Sequence, residues 1–294
     1  SPVRNEDAHL ERVARSVAGQ ELAPARWIVV DDASTDDTPE ILGRLASEIP
    51  FLQVVRTTED HDAGSADRLA RAAAPRGFNR GLAQVDRHEF THVMKLDGDI
   101  ELAPGYLSAL MERFGADPLL GIAGGVLVEP TRAGTMRRVR IPRSHVHGAL
   151  KCYTQGCFAA IGGIQERLGW DTIDETYARM RGYGTESFED LVSIHHRPLG
   201  TADGALRGRA RHGECAYISH YPLLWVTLRA FKVAVRYPPR GVSGVAFLYG
   251  YLRAAARRTE QVPDASLRRF ARRELRRRLA RALAPYRFTS SPGA

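Results

Sequence analysis

Asp97-Gly98-Asp99 sets two carboxylates on either side of a residue without a side chain, directly after the apolar run His92–Leu96. Carboxylates so spaced converge on one divalent cation, because such ions prefer hard oxygen ligands. A second acidic pair, Asp31-Asp32, closes the β-branched run that starts at Arg26. Its oxygens suit the N–H groups of a nucleobase or the hydroxyls of a ribose. Either motif alone is ordinary, and an isolated D-x-D more often marks a solvated turn. Together, a metal-binding pair and a second set of acidic acceptors describe a nucleoside-diphosphate site.

The basic run Arg207-Gly-Arg-Ala-Arg-His212 offers the opposite charge. With glycines as hinges, Arg207, Arg209 and Arg211 read as a mobile loop closing over the diphosphate; the alternative is a solvated turn before the next helix. Lys95 and Arg80 flank the acidic edge as weaker candidates for phosphate contact. His145, His147, Cys152 and Cys157 lack the paired spacings of a structural zinc site.

The elements that must position these groups alternate along the chain. Arg26–Asp31, Phe51–Val55, His92–Leu96 and Gly121–Val128 read as strands, and Tyr106–Phe114 has the apolar period of a helix. Ser34 with Asp37 three residues on reads as a capping box, and Pro39 suits a first helical turn. Residues 66–85 have helical character interrupted by Pro75 and Gly77. Strands separated by helices of this length predict parallel pairing in an α/β layer. Ligands in such sheets bind beyond the carboxyl ends of the strands, where both acidic pairs lie. Residues 132–208 are richer in loops. After Tyr217 the pattern becomes helical: Pro222–Arg236 and Val242–Ala256 are strongly apolar, and Ser266–Leu283 alternates Leu and Phe on one face with Arg on the others.

At 294 residues the chain has room for one large α/β domain or a core with an extension. With 44% hydrophobic and 26% charged residues it is neither disordered nor a polytopic membrane protein. Its longest uncharged apolar stretches, Ala216–Leu228 and Gly241–Leu252, fall short of the ~18–20 residues that span a bilayer. The net charge of +8 is local: from Tyr251 onward there are 12 Arg against three acids, which leaves 30 basic and 31 acidic residues before it. Three cysteines without a CxxC pair suit a reducing compartment.

In order and spacing the motifs resemble those of the family 2 glycosyltransferases of the GT-A fold. The resemblance rests on Pro2-Val-Arg-Asn-Glu6, Val30-Asp-Asp-Ala-Ser-Thr-Asp36, Gly77-Phe-Asn-Arg-Gly81, Leu96-Asp-Gly-Asp99, Gly162-Gly163 and Trp170-Asp-Thr-Ile-Asp-Glu175. It implies an α/β fold with a Rossmann-like, mostly parallel sheet flanked by helices. The catalytic domain would cover 1–215, with a nucleotide-sugar half over 1–115 and an acceptor half over 116–215; a basic helical extension would follow over 216–294. It implies nucleotide contacts from Pro2, Arg4, Glu6, Asp31, Asp32, Asn79 and Asp97. A divalent ion, Mg²⁺ or Mn²⁺, would sit on Asp97 and Asp99 with help from His195 or His196. The general base would follow Gly162-Gly163, with Asp174 favoured, then Glu175, and Asp171 the third candidate. Neighbours at a helix start point about 100° apart, so only one of Asp174 and Glu175 is expected to face the sugar. The family carries apolar residues ahead of the Pro2 position, so the first strand is expected to be cut short.

The implied reaction moves one sugar from a nucleotide-diphosphate donor to a hydroxyl of a glycan or lipid-linked acceptor, with inversion, in bacterial surface polysaccharide, glycolipid or cell-wall glycan synthesis. Two other readings stand beside it. A sugar nucleotidyltransferase would need a Gly-rich phosphate-cradling loop near the N-terminus, and none is present. A non-catalytic nucleotide-sugar binder or basic membrane-surface scaffold would need no turnover. The apolar hairpin and Arg-rich helix suit an anionic membrane surface, and equally a hairpin packed on the catalytic domain. No recognition motif points to a specific nucleic acid. The expected location is the cytoplasm, peripheral on the inner face of the cell membrane.

Overall fold

The computed structural model describes residues 1–57, 72–86, 88–131, 134–197 and 204–283. Two compact units divide the chain, Ser1–Ala205 and a second beginning at Leu206. The first opens with β1 (Pro2–Val3), α1 (Leu10–Ala18), β2 (Trp27–Asp32), α2 (Thr38–Glu48), β3 (Leu52–Thr57) and α3 (Ala73–Leu82). The three strands pair in parallel, Pro2 opposite Val30 and Val30 opposite Val55. Helices lie between them because a parallel strand cannot be reached by a tight turn. α1 buries Leu10, Val13, Ala14 and Val17, one face at helical spacing. α3 approaches the sheet through two glycines one turn apart: a Cβ at Gly77 would lie 2.7 Å from Pro2 Cβ, and one at Gly81 3.0 Å from Val30 Cγ2.

The expected capping box at Ser34 is not formed. α2 starts at Thr38, whose N–H donates to Asp36 Oδ1 at 3.0 Å. Ser34 Oγ instead accepts from Asn5 N–H at 3.0 Å, and Asn5 Oδ1 accepts from Thr35 N–H at 2.9 Å. The loops after β1 and β2 are thus stitched together side chain to backbone, which outcompetes a helix cap for these short polar groups. The same stitching brings Glu6 N–H to Thr38 Oγ1 at 2.8 Å.

The rest of this unit comprises β4 (His92–Leu96), β5 (Ile100–Leu102), α4 (Tyr106–Ala116), β6 (Leu120–Pro130), β7 (Met136–Arg138), β8 (Leu150–Thr154), α5 (Gln155–Ile161), α6 (Trp170–Met180) and β9 (Gly184–His195). Their sheet runs β4-β8-β6-β9-β5, with β7 beside β6. β6 and β9 are parallel, whereas β4–β8, β5–β9, β6–β7 and β6–β8 are antiparallel. The mixed pairing follows from the connections: β8 is reached from β6 without an intervening helix. β4 and β5 end opposite edges of this path, yet only Asp97-Gly98-Asp99 separates them. The sheet must therefore coil strongly, and β6 shifts register at Leu120/Ile122 and Gly125/Val126.

The second unit contains α7 (Ala205–Ile218), α8 (Leu223–Arg236), α9 (Val242–Ala256) and α10 (Ala265–Leu283). Val226, Ala230 and Val233 of α8 pack with Phe247 of α9. No described helix is long and apolar enough to cross a membrane.

Candidate active site

The D-x-D turn lies where β4 hands the chain to β5, and Ile100 N–H closes it on Asp97 O at 3.2 Å. Only glycine fits its centre: a Cβ at Gly98 would stand 2.7 Å from Val3 Cγ1 and 3.2 Å from Glu6 Cγ. The turn is therefore pressed against the β1 loop. Asp97 accepts from buried Lys95, which also donates to Gly148 O at 2.9 Å. Burial raises the Asp97 pKa, and Lys95 restrains the rise.

Asp99 faces His195 at the end of β9, with Oδ2 3.4 Å from Nε2. On the other side of the ring, Nδ1 lies 3.3 Å from Oε1 of Glu129, a buried carboxylate near the end of β6. Burial works to lower the His195 pKa, but the hydrogen bond and charge of Asp99, followed by Glu129, reverse it. For Asp99 burial works upward, and the same imidazole outweighs it and holds the carboxyl low. His196 points elsewhere, its Nε2 2.8 Å from Glu101 Oε2 and its ring stacked on His9. The two adjacent histidines alternate across the strand, so only the His195 side chain meets the acidic turn, while His196 reaches it through its backbone N–H, which donates to Asp99 O at 3.0 Å.

Arg197 pairs with Glu6 and lies 3.9 Å from Asp99 Oδ2. Burial, then the charge of Asp99, pushes the Glu6 pKa up to about 7 against the pull of Arg197. Among the described residues no three His, Cys, Asp or Glu side chains already surround a common point. The donor set nonetheless fits a hard divalent ion: carboxylate oxygens, an imidazole nitrogen, and a carboxylate orienting that imidazole from behind, the usual support of a metal-bound histidine.

The second acidic pair is divided by strand alternation. Asp31 is fully buried, its Oδ1 accepting from Ser34 N–H at 3.0 Å, so it shapes the loop. Asp32 is half-buried, with Thr57 Oγ1 3.4 Å from its Oδ1, and its backbone carbonyl accepts from Arg4 at 3.2 Å. Pro2 seats α3, as described. Asn79 spends its amide within the fold, donating to Ile164 O at 2.9 Å and Glu166 Oε1 at 3.0 Å.

The acidic segment of α6 is placed differently from expectation. Asp174 and Glu175 both point inward, and both meet Lys151 of β8, at 3.2 and 3.1 Å. Tyr153 donates to Asp174 Oδ2 at 2.5 Å, while Glu175 accepts from Val146 N–H at 2.7 Å and lies 3.0 Å from His145 Nδ1. Burial raises the Asp174 pKa; for Glu175 burial opposes, but Lys151 and then His145 prevail and lower it. Neither faces a cleft, because a buried ammonium with several donors recruits both neighbouring carboxylates.

Asp171, one turn earlier, is half-buried. Its Cβ lies 3.2 Å from where a Gly148 Cβ would be, and Gly148 O is the acceptor of Lys95, the partner of Asp97. Trp170 fills the space between, its ring 5.3 Å from Lys95 Nζ and 5.5 Å from Lys151 Nζ. Asp171 thus packs on Gly148, whose carbonyl accepts from the Lys95 that pairs with Asp97.

The loop expected over 207–212 is corrected: these residues lie within α7, and Arg209 stacks on Tyr237 at 4.2 Å. Arg and Ala are strong helix formers and no proline interrupts residues 205–218. Arg207, Arg209 and Arg211 thus stand on a rigid element of the second unit. Glu129, Lys151 and Glu101 were not singled out by sequence; the one available signal was a lysine inside the otherwise apolar strand around Cys152.

Parallel strands carrying acidic loops at their carboxyl ends, with a D-x-D turn pressed against the first of those loops, are the arrangement of a glycosyltransferase of the GT-A class. A family model described as glycosyl transferase family 2 matches residues 1–168, and the chain belongs to that family. Among solved structures it is similar to the mannosyltransferase PcManGT from Pyrobaculum calidifontis in complex with GDP-Man and Mn²⁺, at 21% identity and a TM-score of 0.54, covering 97% of this chain and 79% of that one. GalNAc-T7 with UDP, GalNAc and Mn²⁺ gives 12% identity and a TM-score of 0.56, with 95% of this chain spanning 56% of the other. S. aureus TarS 1–349 with UDP-GlcNAc gives 16% and 0.50, covering 87% and 71%. At such identities the likeness is one of fold. No curated protein matches the sequence.

Proposed function

We propose that this glycosyltransferase takes its sugar from a nucleoside-diphosphate donor held across the β1, β2 and D-x-D loops, and passes it to an acceptor hydroxyl with inversion. The Glu129–His195–Asp99 relay carries the reading: a buried carboxylate orients an imidazole toward the second carboxylate of the turn, which is how proteins prepare a histidine for a metal. Asp99 and His195 would hold the ion, with Asp97 toward the diphosphate, and PcManGT and GalNAc-T7 were both crystallised with Mn²⁺. A divalent ion there supplies positive charge to the departing diphosphate oxygens.

Half-exposed Asp32 takes the ribose or base, while Arg4, Glu6 and Pro2 wall that side. Asp171 is the general base. It is the carboxylate of its segment that forms no ion pair with Lys151, and it packs on Gly148, the acceptor of the Lys95 that pairs with Asp97. Asp174 and Glu175 position it: Lys151, held by both, donates to the Asp171 carbonyl at 2.6 Å and fixes the first turn of α6. A single base facing the donor is the arrangement of direct displacement, in which the acceptor oxygen bonds to the anomeric carbon as the diphosphate leaves from the opposite face.

The acceptor side is a membrane-borne glycan or lipid. On α8, Leu224, Leu228, Phe231 and Val235 form one exposed apolar stripe, and on α9 Val242, Val245, Tyr249 and Leu252 form another. Arg229, Lys232 and Arg236 run alongside the first at the same helical spacing. Apolar stripes edged by cations suit an anionic bilayer surface, on the cytoplasmic face if surface polysaccharide or cell-wall glycan is the product.

The test is turnover. Purified protein with Mn²⁺, bacterial lipid extract and radiolabelled UDP-glucose, UDP-GlcNAc or GDP-mannose should transfer label to an extractable acceptor from one donor. Transfer that needs no divalent ion, or survives Asp99→Asn, contradicts the assignment.

A further inference from the structure

β7 is three residues long, and Met136, Arg137 and Arg138 are all exposed. None of them adds to the core, so packing does not account for the strand. It is held by a tight hairpin: Thr131 N–H donates to Thr135 O at 2.8 Å, the hydroxyls of the same two threonines lie 2.8 Å apart, and Val139 N–H donates to Leu127 O at 2.8 Å. The register sets Arg137 directly opposite Glu129, and Arg138 opposite Val128. Residues directly opposite in an antiparallel pair share a face of the sheet. Arg137 therefore meets Glu129, its Nη2 3.1 Å from Oε2, while Arg138 turns to the other face and lies 3.8 Å from Glu189.

Glu129 is the carboxylate behind His195, and its two oxygens are divided. Oε2 accepts from Arg137, and Oε1 faces Nδ1 of the imidazole. The last torsion of a glutamate is broad, so one contact does not by itself define the carboxylate plane. A second contact, on the other oxygen and from another strand, fixes it. An ion pair between two exposed side chains contributes little. This pair differs, because the Arg137 side chain is 69% exposed and that of Glu129 only 2%. Burying a charge is costly unless it is paired and hydrogen-bonded, so a partner on each oxygen matters here as it would not at the surface. The contacts Arg137–Glu129–His195–Asp99 run from solvent to the D-x-D turn in steps of 3.1, 3.3 and 3.4 Å.

We propose that Arg137 is a positioning residue of the metal site: it fixes the carboxylate of Glu129, which in turn sets the ring of His195. The inference rests on the metal reading above and deepens it. Its sign separates it from plain electrostatics. A guanidinium repels a divalent cation, so an arginine acting by charge alone would tighten ion binding when removed. An arginine acting through Glu129 weakens ion binding when removed.

Mn²⁺ titrations followed by electron paramagnetic resonance compare wild-type protein with Arg137→Gln, Arg137→Lys, Arg138→Gln, Glu129→Gln and the double variant Arg137→Gln with Glu129→Gln. Arg137→Gln should raise the Mn²⁺ concentration for half-maximal binding about fivefold. Arg137→Lys, which keeps the charge but not the planar fork, should recover part of the loss. Arg138→Gln removes the same charge from the other face and should not weaken binding. In the Glu129→Gln background, Arg137→Gln should add less than about twofold, because residues that act as one unit are not additive. Unchanged or tighter binding in Arg137→Gln would overturn the proposal. So would a loss that persists in full in the Glu129→Gln background, or one that Arg138→Gln reproduces. If wild-type protein binds no Mn²⁺, the metal reading itself falls and takes the inference with it.

Discussion

Glu129 Oε1 stands 3.3 Å from His195 Nδ1, and Asp99 Oδ2 stands 3.4 Å from Nε2 of the same ring. A strand-end glutamate thereby dictates which nitrogen of the imidazole is offered to the D-x-D turn. Glu129→Gln keeps the shape but weakens the orientation. It should raise the Mn²⁺ concentration for half-maximal binding about 10- to 100-fold, read by Mn²⁺ electron paramagnetic resonance. His196→Ala, whose parent imidazole pairs with Glu101, should leave that concentration nearly unchanged; a reversed pattern would place the ion on the other histidine.

The acids of α6 separate by function. Asp171→Asn should lower kcat by about 10²- to 10⁴-fold with little change in melting temperature. Asp174→Asn breaks a buried pair with Lys151 and should cost about 3–5 kcal/mol of stability, measured by urea unfolding. Activity surviving in Asp171→Asn, with loss confined to a well-folded Asp174→Asn, would return the base to Asp174.

Acid should destabilise the protein in part through His147. Burial, then the neighbouring imidazoles, pulls its folded pKa down to about 4, below the ordinary histidine value of 6.5, so as pH falls from 6.5 toward 4 the unfolded chain takes up a proton that the folded one refuses. The contribution is complete near pH 4 and amounts to at most about 3 kcal/mol, less whatever solvent reaches the ring. His147→Leu lacks this penalty. Its stability relative to wild-type protein should therefore grow between pH 7 and pH 4.5, and a pH-independent difference would show that the ring is not held neutral.

Liposome sedimentation tests the second unit. Phe231 is 72% exposed and Val245 68% exposed, so Phe231→Asp with Val245→Asp costs no core packing. The double variant should lose binding to phosphatidylglycerol vesicles while keeping its helical circular dichroism. Wild-type binding that is abolished by salt alone, and untouched by the two substitutions, would make the attachment purely electrostatic.

The sequence made the strands and long helices legible wherever one period ran through: α4 and α9 each keep one apolar period, and β4 is a short apolar run interrupted by Lys95. Asp97 and Asp99 were legible because they follow such a run at once. Glu129 was not, since its partner is 66 residues away on another strand and an isolated glutamate after an apolar stretch looks like solvent-facing punctuation. The inward pairing of Asp174 and Glu175 was hidden for a related reason. Their chemistry depends on Lys151, which β8 presents from across the fold, and pairing of that kind leaves no local spacing. The arginines of α7 misled because charge beside glycine suggests a hinge, whereas helix propensity decided the backbone.

The central claim is that Asp99, set by His195, holds the metal and diphosphate of a sugar nucleotide. Thermal unfolding of wild-type protein and Asp99→Asn with UDP and GDP, each with Mn²⁺ and with EDTA, tests it most directly, because a ligand that binds only the folded state raises the melting temperature by mass action. The account predicts a rise for wild-type protein with one nucleotide that requires Mn²⁺ and disappears in Asp99→Asn. A rise that persists in EDTA, or one that Asp99→Asn retains in full, would contradict it.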